Sequence, residues 1–294
     1  MLNFNSKQEA RTILYSLEKA LYSVGISSAR SDARCLLGLA FDRDLPILPH
    51  EQLPIINQVV SKRLKKFLSR RLGGEPISRI RGWREFWSLR FFISPATLDP
   101  RPDSETLIEA ALKWVKARSL KNTAIRCLDL GTGSGCLLLA LLSELPEAIG
   151  IGVDLKLDAV KMARENAASL GLAARAQFYQ HSFCDDLSGF GEFDVILSNP
   201  PYIPSGDLAY LPIDVKHFDP VSALDGGSDG MASWQELLPR LSEVLYNDGA
   251  AFVEIGKGQG DAVCQQARSS GLHLIDHYYD ISGIKRCLQF GIKL

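Results

Sequence analysis

The sequence predicts an α/β protein in which a mostly parallel sheet, covered by helices on both faces and ended by an antiparallel hairpin, follows a small helical bundle. Three observations carry that expectation. From Ala124 onward strand-like and amphipathic segments alternate; before about residue 95 helical patterns dominate; and 294 residues, 46% hydrophobic and 23% charged, suffice for one large core and a smaller domain. The expected boundaries are a helical domain over 1–78, a β-hairpin linker over 79–99 and the α/β domain over 100–294.

In the first domain, Ser6 and Glu9 form a capping-box signature, and Leu14, Leu17 and Leu21 make one apolar stripe that stops at Gly25. A second helix is expected over Ser28–Phe41. A third starts near Pro54, a residue the first helical turn tolerates, and runs along Ile56, Val60, Leu64 and Phe67 to Gly73-Gly74. It carries Lys62, Arg63, Lys65, Lys66, Arg70 and Arg71, read as a solvated face. Aromatic-rich runs over 81–87 and 89–93, briefly interrupted, predict the linking hairpin, their rings serving packing rather than base stacking. Pro100 to Glu105 then opens a helix using Leu107, Ile108, Ala111, Leu112 and Val115, with Ser104 as its N-cap. Strands are expected at 125–130, 149–154, 176–181, 193–198 and 250–255, and helices at 136–145, 157–170 and 231–246. Segments 273–280 and 285–291 form the closing hairpin.

Ligands on such sheets bind at the carboxyl ends of the strands, and two motifs fall there. Gly131-Thr132-Gly133-Ser134-Gly135 follows a buried strand and opens a helix; its glycines let a ligand approach the backbone and leave the helix N-terminus facing it. A dinucleotide fingerprint would need its third glycine at Cys136, so the spacing is G-x-G-x-G. The next strand ends in Asp154, whose carboxylate can accept both hydroxyls of a ribose. The second motif, Asn199-Pro200-Pro201-Tyr202, describes a grip on a planar nitrogen bearing two N–H donors. The Asn199 side-chain carbonyl and the Pro200 backbone carbonyl, kept out of any ladder by two rigid rings, are the acceptors, and Tyr202 offers an aromatic face. Taken alone, the tetrapeptide also reads as a stiff turn ending a strand. The stretch from Asn199 to Gly230 is long for a connection, which marks a binding loop.

Composition narrows the partners. A formal net charge of -1 gives no global pull toward nucleic acid or an anionic membrane. No apolar run approaches the ~20 residues of a membrane span, and Lys7, Glu9, Arg11 and Glu18 interrupt the N-terminal segment, so a cytoplasmic chain is expected. The six cysteines form no C-x-x-C pair and read as small hydrophobes. His273 and His277 stand four apart but in a strand-like segment, so no metal site is expected.

The glycine loop and Asp154 resemble the S-adenosylmethionine site of class I methyltransferases, which are Rossmann-like. Pro100-Arg101-Pro102-Asp103-Ser104-Glu105, Asp129 to Gly135, Asn199 to Ile203, Phe218-Asp219-Pro220, Gly227-Ser228-Asp229-Gly230 and Glu254-Ile255-Gly256 occur in the order seen in the HemK/PrmC family, protein-(glutamine-N5) methyltransferases. The resemblance spans nearly the whole chain. It implies methyl transfer from S-adenosylmethionine, which becomes S-adenosylhomocysteine, to the glutamine of the Gly-Gly-Gln motif in class 1 peptide chain release factors, modulating translation termination. It implies that Gly131, Thr132, Gly133, Ser134 and Gly135 line the cofactor together with Asn199, that Asp154 holds its ribose, and that Phe183, where the family often has Trp, lies against the adenine. Asn199, Pro200, Pro201 and Tyr202 would hold the glutamine amide, with Asn199, Pro200 and Tyr202 catalytic, and the helical domain would help dock the release factor. Departures are small: Asp99 stands where many relatives are apolar, Ser104 and Ser134 replace threonines, and Ser182 sits where an acid often contacts the adenine.

An amide nitrogen is a poor nucleophile facing an already activated sulfonium methyl, so positioning is expected to supply much of the rate, with no catalytic His or Cys. The alternative is an adenine-N6 methyltransferase acting on DNA or RNA, since an exocyclic amino group presents the same paired N–H geometry; it would need a basic target-recognition face. A silent cofactor-binding scaffold would bind without turnover, and a nicotinamide dehydrogenase would select NAD.

Overall fold

The computed structural model describes residues 10–120 and 123–292, so the capping box expected at Ser6 and Glu9 lies outside the described residues. The chain divides into two compact units, one up to Gly82 together with Pro212–Phe218, the other Trp83–Leu211 with the chain from Asp219 onward.

In the first unit, helices α1 (Ala10–Tyr22), α2 (Ala29–Ala40), α3 (Gln58–Leu72) and α4 (Ile77–Arg81) enclose one core. Leu17 and Leu21 of α1 meet Leu36 and Leu37 of α2, Leu64 of α3 and Ile80 of α4 there. Helix α3 starts four residues beyond Pro54 because Asn57 caps it: its side-chain oxygen accepts from the Val60 N–H at 3.0 Å, satisfying a donor that the first turn leaves without a helical partner. The buried stripe of α3 is Val60, Leu64 and Leu68, so Leu68 replaces the expected Phe67, which is only partly covered. Asn57→Ala is expected to lower the stability of this unit by about 1 kcal/mol in a denaturant titration. Part of the basic face is internally paired, Arg63 with Asp42 at 2.9 Å, Arg70 with Glu75 at 2.5 Å and Arg71 with Asp32 at 2.8 Å, whereas Lys62, Lys65 and Lys66 are exposed.

The second unit opens with strands β1 (Trp83–Phe86) and β2 (Leu89–Phe92), paired antiparallel around Trp87-Ser88. Both turn residues are left-handed, at φ 52° and 57°, the conformation a tight two-residue hairpin requires. The Trp87 amide donates to Glu105 at 2.8 Å and its indole to Glu144 at 3.0 Å, while Phe86 and Phe91 are buried in the core beneath helix α5 (Glu105–Ala117). The hairpin therefore belongs to the second unit, and the division of the chain falls after Gly82.

Beyond α5 come β3 (Arg126–Leu130), α6 (Cys136–Glu144), β4 (Ile149–Asp154), α7 (Leu157–Ser169), β5 (Ala176–Gln180) and β6 (Phe193–Ser198). The long loop after β6 carries the short helix α8 (Ile213–Phe218), which falls in the first unit, and is followed by α9 (Ala232–Val244), β7 (Leu245–Glu254), α10 (Gly260–Ser269), β8 (Leu272–Tyr279) and β9 (Lys285–Ile292). The sheet order is β5-β4-β3-β6-β7-β9-β8, parallel through β7 and antiparallel in the last three. Alternation along the strands makes two cores. Cys127, Val195, Leu197 and Phe252 face one cluster with residues of α5, α6 and α7; Leu128, Leu130, Ile196 and Val253 face another with residues of α9 and α10.

Strand β7 begins at Leu245, not at 250, and α9 ends at Val244, because Leu245 already pairs with Phe193. The turn-like Asn247-Asp248-Gly249 is absorbed as an irregularity before Ala250 pairs with Val195. His273 and His277 both lie on β8. Among the described residues no helix is long and apolar enough to cross a membrane.

Candidate active site

The carboxyl ends of β3, β4 and β6 open onto a cavity of about 200 Å³ whose wall includes Gly131, Thr132, Gly133, Ser134, Asp154, Phe183, Asn199 and Pro201. The amides of Gly131 and Thr132 donate to the Val153 carbonyl at 3.0 and 2.9 Å, tying the loop to the end of β4. Gly131, Gly133 and Gly135 have φ of 77°, 56° and 80°, a left-handed run that glycine adopts without the steric cost of a Cβ. Asp154 accepts from the Gly133 amide at 2.9 Å through one oxygen and from the Lys156 amide at 2.9 Å through the other. Burial raises its carboxyl above the ordinary value, and those two amides oppose the shift. A carboxylate has about four acceptor sites, so capacity remains for a pair of hydroxyls.

Not every expected residue reaches the cavity. Gly135 is absent from its wall; a methyl group there would lie 3.2–3.3 Å from Ala163, Leu139 and Phe178, so this glycine serves packing under the loop. Pro200 and Tyr202 are also off the wall. The Phe183 ring stands beside the glycine loop, 3.9 Å from where a Gly131 Cβ would be.

Ser104 stands at the N-cap position of α5, as expected, but its side chain does not cap the helix. Its backbone is helical, at φ -70° and ψ -15°, and its hydroxyl donates to Glu254 Oε2 at 2.5 Å instead of to or from the helix start. The same Ser104 oxygen accepts from the Asn199 Nδ2–H at 3.2 Å, and the Tyr202 hydroxyl donates to Glu254 Oε1 at 3.1 Å. Both ends of the Asn-Pro-Pro-Tyr segment thus lead to one carboxylate, which is 2% exposed. Burial raises the Glu254 carboxyl, and the hydroxyls of Ser104 and Tyr202 and the charge of Arg286 oppose it. Burial, with the nearby Glu254 charge, raises the Tyr202 phenol well above its ordinary value, so it remains a neutral donor. Sequence reasoning gave Glu254 no role; its signal was an acid ending the apolar run Ala250-Ala251-Phe252-Val253.

The loop after Asn199 is closed on itself. The Ile203 amide donates to the Leu224 carbonyl at 2.9 Å, the Gly226 amide to the Ile203 carbonyl at 2.8 Å, and the Gln259 side chain to the Tyr202 carbonyl at 2.9 Å. Asp219 pairs with Arg101 and accepts from the Asp99 amide at 3.1 Å, which joins the Arg-Pro-Asp-Ser-Glu segment to the loop. Among the described residues none donates to the Pro200 carbonyl.

Beneath the glycine loop, Asp129 is fully buried and accepts from the Thr132 hydroxyl at 2.6 Å. Burial pushes its carboxyl up to about 7. An exposed Asp releases its proton near pH 3.9, so between about 4 and 7 the folded chain holds the extra proton. The stability this group contributes is therefore full below about pH 4 and drains as pH rises through 7, by up to roughly 4 kcal/mol. Asp129→Asn, which keeps an acceptor for Thr132, is expected to remove that decline, read as thermal midpoints across pH 4.5 to 8 without cofactor.

Residues 112–210 match the Methyltransferase small domain family. The "Release factor glutamine methyltransferase" of Bradyrhizobium diazoefficiens is 42% identical over 275 residues, 93% of this chain and 91% of that protein. The protein of the same description from Moorella thermoacetica is 36% identical over 94% of this chain and 96% of its own. Among solved structures, the hMettl16 catalytic domain superposes with a TM-score of 0.57 at 15% identity, covering 71% of this chain and 77% of that one, a likeness of fold. A parallel sheet of this order, with a glycine loop after β3 and an acid ending β4, defines a class I S-adenosylmethionine-dependent methyltransferase. Within that class, the chain belongs to the release factor glutamine methyltransferase family.

Proposed function

We propose that this cytoplasmic enzyme transfers a methyl group from S-adenosylmethionine to the side-chain amide nitrogen of the glutamine in the Gly-Gly-Gln motif of class 1 peptide chain release factors. The observation that carries this reading is the Asn199 side chain, on the cavity wall, whose amide nitrogen is committed to Ser104, leaving its oxygen as an acceptor beside the cofactor site. The wall suits the cofactor: Asp154 keeps acceptor capacity for a ribose, Phe183 offers an aromatic face, and a methyl group on Gly133 would meet nothing within 4 Å, so the loop leaves room for a ligand against its backbone. When bound, S-adenosylmethionine supplies a methyl group activated by its sulfonium charge. Asn199 Oδ1 and the Pro200 carbonyl would accept the two glutamine N–H bonds, drawing electron density toward nitrogen and aiming it at the methyl, a proximity effect worth up to ~7–11 kcal/mol in ideal cases. Tyr202, its hydroxyl held by Glu254, would present its ring to the amide plane. The proton leaves after transfer, when the alkylated nitrogen has become acidic, and passes to water or a backbone carbonyl.

The test is incubation with S-adenosylmethionine and an unmethylated release factor, followed by tandem mass spectrometry of the Gly-Gly-Gln peptide. The expected result is one added methyl on that glutamine. Cofactor binding with an unmodified glutamine would shift the assignment to the exocyclic amino group of adenine, to which the same two acceptors are suited.

A further inference from the structure

We propose that Glu254 is a positioning residue that fixes which end of the Asn199 amide faces the substrate, through a one-way relay of hydrogen bonds across Ser104. This rests on the reading of Asn199 as an acceptor for the substrate amide. Glu254 receives a hydroxyl on each oxygen, with the Arg286 charge nearby, and as a carboxylate it only accepts, so both hydroxyls donate to it. Ser104 spends its single proton on Oε2, at 2.5 Å, a length ordinary for a hydroxyl on a charged oxygen. Its oxygen is then left with acceptor capacity alone. Asn199 can meet it only with its NH₂ end, and does so at 3.2 Å, which turns Oδ1 the other way. The buried carboxylate therefore sets donor and acceptor polarity two residues away, at an amide whose two ends are nearly the same shape. It also anchors Tyr202 at 3.1 Å, so one charge at the end of β7 orders both ends of the tetrapeptide.

Glu254→Gln tests the relay with little change in shape. The glutamine NH₂ meets Ser104 and its oxygen keeps the Tyr202 donor, because an aliphatic hydroxyl accepts better than a phenol whose lone pair is shared with its ring. The serine proton then turns toward Asn199 and draws Oδ1 inward, which presents a donor pair to a substrate that itself offers donors. Turnover on the release factor glutamine is expected to fall about 30-fold or more, with cofactor affinity within about threefold. Ser104→Ala is expected to lower turnover about 10-fold and Ser104→Thr, which keeps the hydroxyl, to stay within about threefold of the parent. In the double variant Ser104→Ala with Glu254→Gln, the alanine should add almost nothing to the loss, because the relay is already broken. Multiplying losses, a fully active Glu254→Gln, or a parallel loss of cofactor affinity would overturn the proposal. Should Glu254→Gln not fold, the Ala/Thr pair at Ser104 decides, full activity of the alanine variant counting against the relay. A readout free of turnover is the Asn199 side-chain NH₂ resonance, assigned by its loss in Asn199→Ala. It is expected to be protected from solvent exchange in the parent and exposed in Glu254→Gln, and equal protection in both would also overturn the relay. A parent that shows this protection but leaves the release factor glutamine unmethylated would instead refute the substrate reading.

Discussion

Asn199→Ala is expected to lower turnover on the order of 100-fold while leaving cofactor affinity within about threefold. The side chain sits on the cavity wall, but the glycine loop and Asp154 supply the larger part of the cofactor's surroundings. Truncation removes one of two acceptors for the target nitrogen, and with it the alignment on which an uncatalysed amide depends. Ser104 loses its contact with Nδ2 but keeps its bond to Glu254, so the scaffold beneath the site has no reason to collapse. Steady-state kinetics alongside calorimetric binding of S-adenosylhomocysteine separate the two effects. An equal loss in both would remove Asn199 from the transfer step and leave it a cofactor contact.

Gly230→Ala is expected to be nearly as damaging for a different reason. Gly230 has a φ of 76°, and a methyl group there would stand 2.5 Å from the Tyr202 carbonyl oxygen and 2.8 Å from the Gln259 side-chain nitrogen that donates to it. Left-handed strain and displacement of backbone together should cost roughly 2–4 kcal/mol of stability. The displaced atom belongs to the residue that ends the Asn-Pro-Pro-Tyr segment, so turnover should drop beyond what the unfolded fraction accounts for. A urea titration and activity measured well below its midpoint distinguish the two losses. A variant unchanged in both would mean that the loop closes without fixing Tyr202.

The parallel sheet and the placement of both motifs were legible because period-two alternation and glycine spacing are local signals. Strand β4 falls at its expected bounds, and the cavity wall joins Gly131, Asp154 and Asn199 as their positions at strand ends required. What escaped depends on partners distant in sequence. Ser104 carries every local mark of an N-cap, but its backbone is already helical, and its hydroxyl donates to a carboxylate 150 residues away while its oxygen accepts from Asn199 and not from an N–H of the first turn. Asn57 displaced Pro54 as the start of α3 because a side-chain cap satisfies a donor that proline merely lacks. Gly135 shares its motif with two glycines of the wall, yet the neighbours of its missing Cβ are core side chains, which spacing alone does not reveal. The hairpin at Trp87-Ser88, by contrast, was legible from the break between two aromatic-rich runs, although its turn has neither the Asn nor the Gly that normally announces one.

Helix α8 lies in the first unit although the chain reaches it through the loop that begins at Asn199, and a methyl group on Gly74 would come within 2.6 Å of Ile213. In evolutionary terms this makes the two units poor candidates for shuffling. A recombination event at Gly82 would transplant the helices of residues 10–82 but leave behind the seven-residue stretch Pro212–Phe218 that completes them, still covalently flanked by Tyr210-Leu211 and Asp219. A foreign bundle would have to accommodate that orphaned stretch, and an isolated fragment starting at Trp83 would carry it without its companions. Chimeras that move residues 1–82 alone are therefore expected to fold less well than those that carry 212–218 with them, as measured by their thermal midpoints.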